Sequence, residues 1–153
     1  MSDDIAFMKL ALQEAELGLA EGGVPIGAVM VEEGMVIGRG HNRRVQDGNP
    51  VSHGETDCMK NAGRRPSYRG VTMYTTLSPC MMCTGTILQF GIRRVVIGEA
   101  QNFGGNIDFL TSKGTDVTVL DDPDCIAMMS KFIREKPAIW FEDIAEPLPD
   151  SDA

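Results

Sequence analysis

Apolar residues recur at steps of three and four near the start of the chain, so that Ile5, Met8, Leu12, Ala15 and Leu19 share one stripe with Asp, Glu and Gln opposite. The spacing predicts an amphipathic first helix that stops at Gly22-Gly23. The period then changes: residues 26–31 read as a strand, Glu32-Glu33-Gly34 as a tight turn and 35–38 as the antiparallel partner, a β-hairpin. Three more β-rich runs lie at 71–76, 94–98 and 116–120, separated by stretches of helical composition. Strands alternating with helices need crossovers, which implies a largely parallel later sheet.

Two of the intervening helices matter most, 54–62 and 80–91, the second capped by Gly91. Asp121-Asp122-Pro123 opens another, with Asp at the cap and Pro early in the first turn, running to about Lys136. Pro137 closes it, and 138–145 forms a last short helix. We expect one domain over 1–145, followed by a loose acidic tail over 146–153 whose prolines and polar residues give it little to pack. No internal repeat is evident. Met73, Met81, Met82, Met128 and Met129 read as core filling.

The chain has 153 residues, 42% hydrophobic and 24% charged, which suits one folded core and excludes a disordered or disulfide-built protein. No apolar run reaches the roughly 20 residues needed to span a bilayer. The acidic opening Met1-Ser2-Asp3-Asp4 is unlike a secretory leader, so a cytoplasmic protein is expected. A net charge of −8 disfavours general nucleic-acid binding. Charge is uneven, however: residues 39–94 hold eight arginines and Lys60 against three acids, a local excess of +6. The plain reading is that these arginines solvate loops or pair with the acidic C-terminal region.

Against that background one constellation stands out, His53-Gly54-Glu55 followed by Pro79-Cys80-Met81-Met82-Cys83. Cys80 and Cys83, three apart at a helix start, put both sulfurs on one side where the helix dipole and unpaired N–H groups favour thiolates. His53 also begins a helix, so two helix tips can converge on one Zn2+ ion. One imidazole and two thiolates leave a fourth position open, the catalytic rather than the structural pattern of zinc. Glu55, two residues beyond the histidine, is placed to handle protons there. Cys58 is turned about 500° from His53 along the helix and is set aside as a ligand. It and Cys125 read as inert buried thiols. His41 is set aside too, because its neighbour Asn42 suggests another use. Asp57 reads as a solvated acid in preference to a partner of the His53 ring.

At these residues the chain resembles the cytidine deaminase-like superfamily, and within it the small fungal-type cytosine deaminases. The likeness extends to Glu21-Gly22-Gly23-Val24-Pro25-Ile26-Gly27, Gly38-Arg39-Gly40-His41-Asn42, Leu77-Ser78-Pro79-Cys80, Cys83-Thr84-Gly85 and Trp140-Phe141-Glu142-Asp143-Ile144, in the same order. The resemblance implies a three-layer α/β/α sandwich around a five-stranded mixed sheet, usually a homodimer. It makes His53, Cys80 and Cys83 the zinc ligands and Glu55 the proton shuttle. It places Asn42 and the backbone of Gly54 at the carbonyl edge of a free base, Ser78 and Asp143 at its amino side, and Phe103 and Trp140 over its ring. The implied reaction is hydrolytic deamination, cytosine to uracil and ammonia. A shorter turn at 32–34, a shorter connection at 64–70 and the run Thr56-Asp57-Cys58-Met59 depart from the family pattern, so isocytosine, azacytosine, a creatinine-like ring and guanine stay open as substrates.

Two rival readings share the metal motif. A tRNA or single-strand editing deaminase would use the arginine-rich middle, but an aromatic lid over the ring argues against a polymer. A zinc-stabilised interaction module would need no proton shuttle at Glu55.

Overall fold

A computed structural model describes residues 2–149. Its first helix, α1 (Ser2–Ala20), leads into a hairpin of β1 (Gly27–Glu32) and β2 (Met35–His41). There follow α2 (Arg44–Asp47), α3 (Gly54–Ala62), β3 (Val71–Leu77), α4 (Met81–Gln89), β4 (Arg94–Glu99), α5 (Ile107–Ser112), β5 (Asp116–Val119), α6 (Pro123–Glu135) and α7 (Pro137–Asp143). The sheet order is β2-β1-β3-β4-β5, with β1 antiparallel to both neighbours and β3, β4 and β5 parallel. The expected parallel later sheet follows from the crossovers through α4 and α5.

Alternation along the strands sorts side chains into two buried layers. Ala28, Met30, Val71, Met73, Val95 and Ile97 meet Cys58 of α3, Ile87 of α4 and Leu110 of α5 on one face. Val29, Val31, Tyr74 and Val96 meet Met8 and Ala11 of α1 and Cys125 of α6 on the other. Covering both faces explains why the strands read as nearly continuous apolar runs, and it makes the molecule the three-layer α/β/α sandwich expected.

The hairpin turn is tighter than a generic loop. Glu33 and Gly34 have φ of 51° and 78°, the all-positive pair whose twist suits a two-residue hairpin. The strand β2 runs on to His41, beyond the expected stop at 38. Gly38 and Gly40 face α3, which lies directly against them: a Cβ on Gly40 would intrude on the backbone of Asp57 and Cys58. Replacing Gly40 by Ala is expected to cost about 1–3 kcal/mol by overpacking. Gly85→Ala, at a helical site where a Cβ meets nothing within 4 Å, should be neutral or stabilising by up to about 1 kcal/mol. Urea titrations of the two variants check the pair; equal midpoints would contradict the packing argument.

Three sequence expectations need correction. The buried residues of α1 are Asp4, Met8, Ala11, Glu14, Ala15 and Gly18, while Ile5 and Leu19 are exposed. The stripe is rotated because Asp4 is drawn inward by Arg94, whose guanidinium donates to both carboxylate oxygens at 3.0 and 2.7 Å, and by the Tyr74 hydroxyl at 2.7 Å. Met81 does not fill the core: it lies on the outer side of α4, 58% exposed, whereas Met73 and Met129 are buried. The short α2 had no apolar period to announce it and buries nothing. At the C-terminus, Pro137 opens α7 as well as closing α6, and Glu146–Pro149 carries no regular element. Residues 150–153 of the expected tail lie outside the described residues.

Candidate metal centre and active site

The parallel part of the sheet and two helix N-termini build the site. The chain leaves β3 through Ser78 and Pro79 and enters α4 with Cys80 as its extended N-cap, so Cys83 falls in the first turn beneath it. His53 is the extended N-cap of α3, and its N–H donates to the Thr56 hydroxyl at 2.9 Å. The two caps face each other. His53 Nδ1 lies 3.4 Å from Cys80 Sγ, and ligand atoms of His53, Cys80 and Cys83 all fall within 4.8 Å of one another. Among the described residues this is the one such cluster. Cys58 sits in the core instead, where burial pushes its thiol well above the ordinary value, as it does for Cys125.

Electrostatics at the cluster are mutual. Burial opposes charge on His53, but Cys80, Asp143 and Glu55 outweigh it and hold the imidazole up at about 9. The Cys83 thiol hydrogen-bonds to Cys80 and, with His53 on the other side, draws Cys80 down to about 4 against its burial. The same bond and burial move Cys83 well above the usual thiol range. The pair therefore keeps one proton, and its charged sulfur faces His53. Such a set fits zinc: one nitrogen and two sulfurs converge at helix tips, one sulfur is held as a thiolate, and a carboxylate oxygen, Asp143 Oδ1, lies 3.8 Å from the other ring nitrogen of His53.

Glu55 is 3% exposed. Burial first, then the Cys80 thiolate, push its carboxyl up to about 7, with His53 pulling the other way. It lines a small cleft together with Ile26, His53, Leu77, Ser78, Cys80, Phe103, Trp140, Asp143 and Ile144. The walls are apolar. Phe103 and Trp140 meet edge to face, their centroids 6.0 Å apart at 86°, and Trp140 packs on Val24, Ile26, Leu77, Met129 and Phe132.

Of the ten residues singled out from the sequence, seven line this cleft: His53, Glu55, Ser78, Cys80, Phe103, Trp140 and Asp143. Cys83, Gly54 and Asn42 lie behind it, all buried. Asn42 Nδ2 donates to Asp143 Oδ1 at 2.9 Å while its oxygen accepts the Arg44 N–H at 3.0 Å. Ile26, Leu77 and Ile144 were not foreseen as cleft residues, since nothing distinguishes them from core aliphatics in the sequence. Asp57 corrects a further expectation. It is not solvated but buried, and its Oδ2 accepts the His41 N–H at 3.0 Å, tying α3 to the end of β2 beside Asn42. Its place one turn after His53 was the available signal. His41 is held from the far side, its two ring nitrogens 2.9 Å from Glu14 and 2.8 Å from Glu21. Burial disfavours its charge, yet these two carboxylates raise its pKa overall.

The arginine-rich middle pairs chiefly with acids of the N-terminal half, not with the C-terminal region. Arg39 meets Glu14, Arg43 meets Asp47 and Glu21, Arg65 meets Glu32 and Arg94 meets Asp4; among the described residues, the later acids reached are Glu142, 3.6 Å from Arg44, and Asp116, 3.8 Å from Arg94. Asp4 and Glu14 are close because α1 packs across β1, β2, β3 and the start of β4, whereas Asp47 meets Arg43 one helical turn away.

Comparison with known proteins bears directly on this geometry. Residues 1–99 match the family model described as the cytidine and deoxycytidylate deaminase zinc-binding region. The chain is 48% identical to the cytosine deaminase of Candida albicans over 147 residues, 94% of this chain and 98% of that one. It is 32% identical to a tRNA-specific adenosine deaminase of Streptococcus pyogenes, over 88% of this chain and 86% of that one. Among solved structures, a tRNA:A34 deaminase that carries out A-to-I editing superposes with a TM-score of 0.72 at 29% identity, covering 81% of this chain and 99% of the other. No helix of the described residues is long and apolar enough to cross a membrane.

Proposed function

Because the chain belongs to the cytidine and deoxycytidylate deaminase family of zinc-binding enzymes, we propose that it hydrolyses the amino group of a free base, cytosine, to give uracil and ammonia. The observation that carries the reading is the small apolar cleft walled by Phe103 and Trp140, with Glu55 and the metal-binding cluster at its floor. A planar heterocycle packs well against such aromatic surfaces, with a few polar groups to orient it.

His53, Cys80 and Cys83 would hold the zinc. When bound there, the ion acts as a Lewis acid that makes water a competent nucleophile near neutral pH. Glu55 accepts the proton of the attacking water, passes it to the ring nitrogen beside the amino-bearing carbon, and delivers the next one to the departing nitrogen. One water enters, the exocyclic C–N bond breaks and ammonia leaves. A carboxyl held near 7 suits this, being able both to take and to give a proton at working pH. Asp143 Oδ1 is fixed by Asn42, which points its carboxylate at the amino group. Ser78 has its N–H on Glu99 O and its hydroxyl on Gly104 O, so its carbonyl is what it offers to the same amino group. The first-turn N–H of Gly54 and the second amide hydrogen of Asn42 serve the carbonyl edge. Phe103 and Trp140 close over the ring and exclude water.

On this reading residues 1–145 act as one catalytic unit, since every ligand-bearing element hangs on one sheet. The free state of all four thiols supports a cytoplasmic setting, and the reaction is a step of pyrimidine salvage. Assembly as a homodimer is supported by the exposed Met81 and Phe90 on and beside α4.

The substrate class is tested by following free cytosine in the ultraviolet beside a tRNA anticodon stem-loop, with isocytosine, azacytosine, creatinine and guanine in the same panel. Cytosine should be turned over and the stem-loop left intact. Conversion of the RNA alone would overturn the free-base reading, and a strong preference for guanine would move it to another ring.

A further inference from the structure

The strand β4 ends in Glu99, whose side chain is fully buried and, among the described residues, paired with no Lys or Arg. Its carboxylate is met by amides instead. Oε1 accepts the backbone N–H groups of Gln101 and Asn102 at 2.8 and 2.9 Å, and Oε2 accepts Asn102 Nδ2 at 2.9 Å. The Asn102 amide reaches on to α6, to Ile126 O at 3.2 Å and Ser130 Oγ at 3.1 Å. A buried anion without a cation is costly. Three donors converging on one carboxylate offset that cost only by fixing the turn in a single shape.

That turn carries Phe103. Beyond it, Gly104 O accepts the Ser78 hydroxyl at 3.0 Å, and Gly105 adopts φ of 62° where a Cβ would collide with Ser78. The segment is thus nailed down on both sides of the aromatic ring, to β4 and α6 before it and to the start of the metal-binding loop after it.

Resting on the deaminase reading above, we propose that Glu99 and Asn102 are positioning residues that fix Phe103 against Trp140 over the base. Their side chains line neither the cleft nor the metal-binding cluster; Glu99 meets the cleft residue Ser78 through its backbone carbonyl alone, which a side-chain substitution leaves in place, and the side chains act through the aromatic wall.

In Glu99→Gln the new amide faces the Asn102 amide, donor against donor, and the turn must shift. The expected result is a KM for cytosine raised about tenfold, the worth of a misplaced aromatic contact with the base, with kcat changed far less. Placed in a Phe103→Ala background, the same substitution should change KM less than about twofold, because the group it acts through is gone. Trp140 is the sole tryptophan, so acrylamide quenching of its fluorescence should rise in Glu99→Gln with zinc content and circular dichroism unchanged. Asn102→Ala, which leaves the Glu99 carboxylate on its backbone donors, should give the same signs and carries the test if Glu99→Gln does not fold. Unaltered KM and quenching, or an equal fold-change with and without Phe103, overturns the proposal. A native protein inactive on cytosine would instead defeat the functional reading, and quenching alone would then decide the placement of the turn.

Discussion

Replacing Glu55 by Gln should lower cytosine turnover by about 10²–10⁴-fold, the usual worth of a positioned general acid–base, while one zinc per chain is retained. The substitution keeps the shape of a side chain that is almost wholly buried in the first turn of α3. What it removes is the proton-carrying oxygen. In the native protein that carboxyl is held near 7 by burial and by the Cys80 thiolate, so it takes and gives protons readily; an amide does neither. Initial rates with zinc measured by plasma emission on the same sample make the comparison. A variant at native rate would remove Glu55 from the chemistry. It would also favour a zinc module without catalysis, for which that carboxylate is decoration.

Cys80→Ala should abolish both zinc retention and turnover. Three side chains make the binding set, and Cys80 is the member that touches another donor directly, 3.4 Å from His53 Nδ1. Loss of its thiolate leaves one imidazole and one sulfur, too few donors to hold a cation well. The thermal midpoint should fall too, since an ion bridging the caps of α3 and α4 contributes to stability wherever it binds only the folded chain. Cys125→Ala is the matched control. It empties a buried position between α6 and the sheet, so it should cost stability while zinc content and rate stay native. Dialysis against a strong chelator should reproduce the Cys80→Ala phenotype in the native protein, with recovery on adding zinc. Full zinc occupancy in Cys80→Ala would contradict the assigned ligand set.

Much of this was legible in the chain because it depends on local spacing. The hairpin at Glu33-Gly34, the Asp122 cap with Pro123 behind it and the Cys80, Cys83 pair at a helix start are determined by residues within a few positions of one another. The strand runs were legible because both faces of the sheet are covered, which makes them apolar throughout. Other features were not. Asp57 looked like any acid on a helix until β2 was laid beside α3, and then its oxygen had a backbone N–H to accept. Ile5 and Leu19 belonged to a good apolar stripe, yet the pull of Arg94 on Asp4 turned the helix away from it. Glu99 and Asn102 gave no sign at all, because a carboxylate that folds a turn has the same sequence appearance as one that solvates it.

The sequence by itself determined the strand order, the two helix starts that carry the proposed zinc donors and the acid beside them, since spacing along one helix or turn fixes where those atoms point. Only the tertiary structure decided what stands around that set: His53 brought to Cys80 from 27 positions away, Asn42 locked onto Asp143 across 101 positions, and Phe103 set against Trp140. Those contacts join segments with no shared period or motif, and they come together because the crossovers place the ends of β3 and β4 side by side, with α7 packed over them.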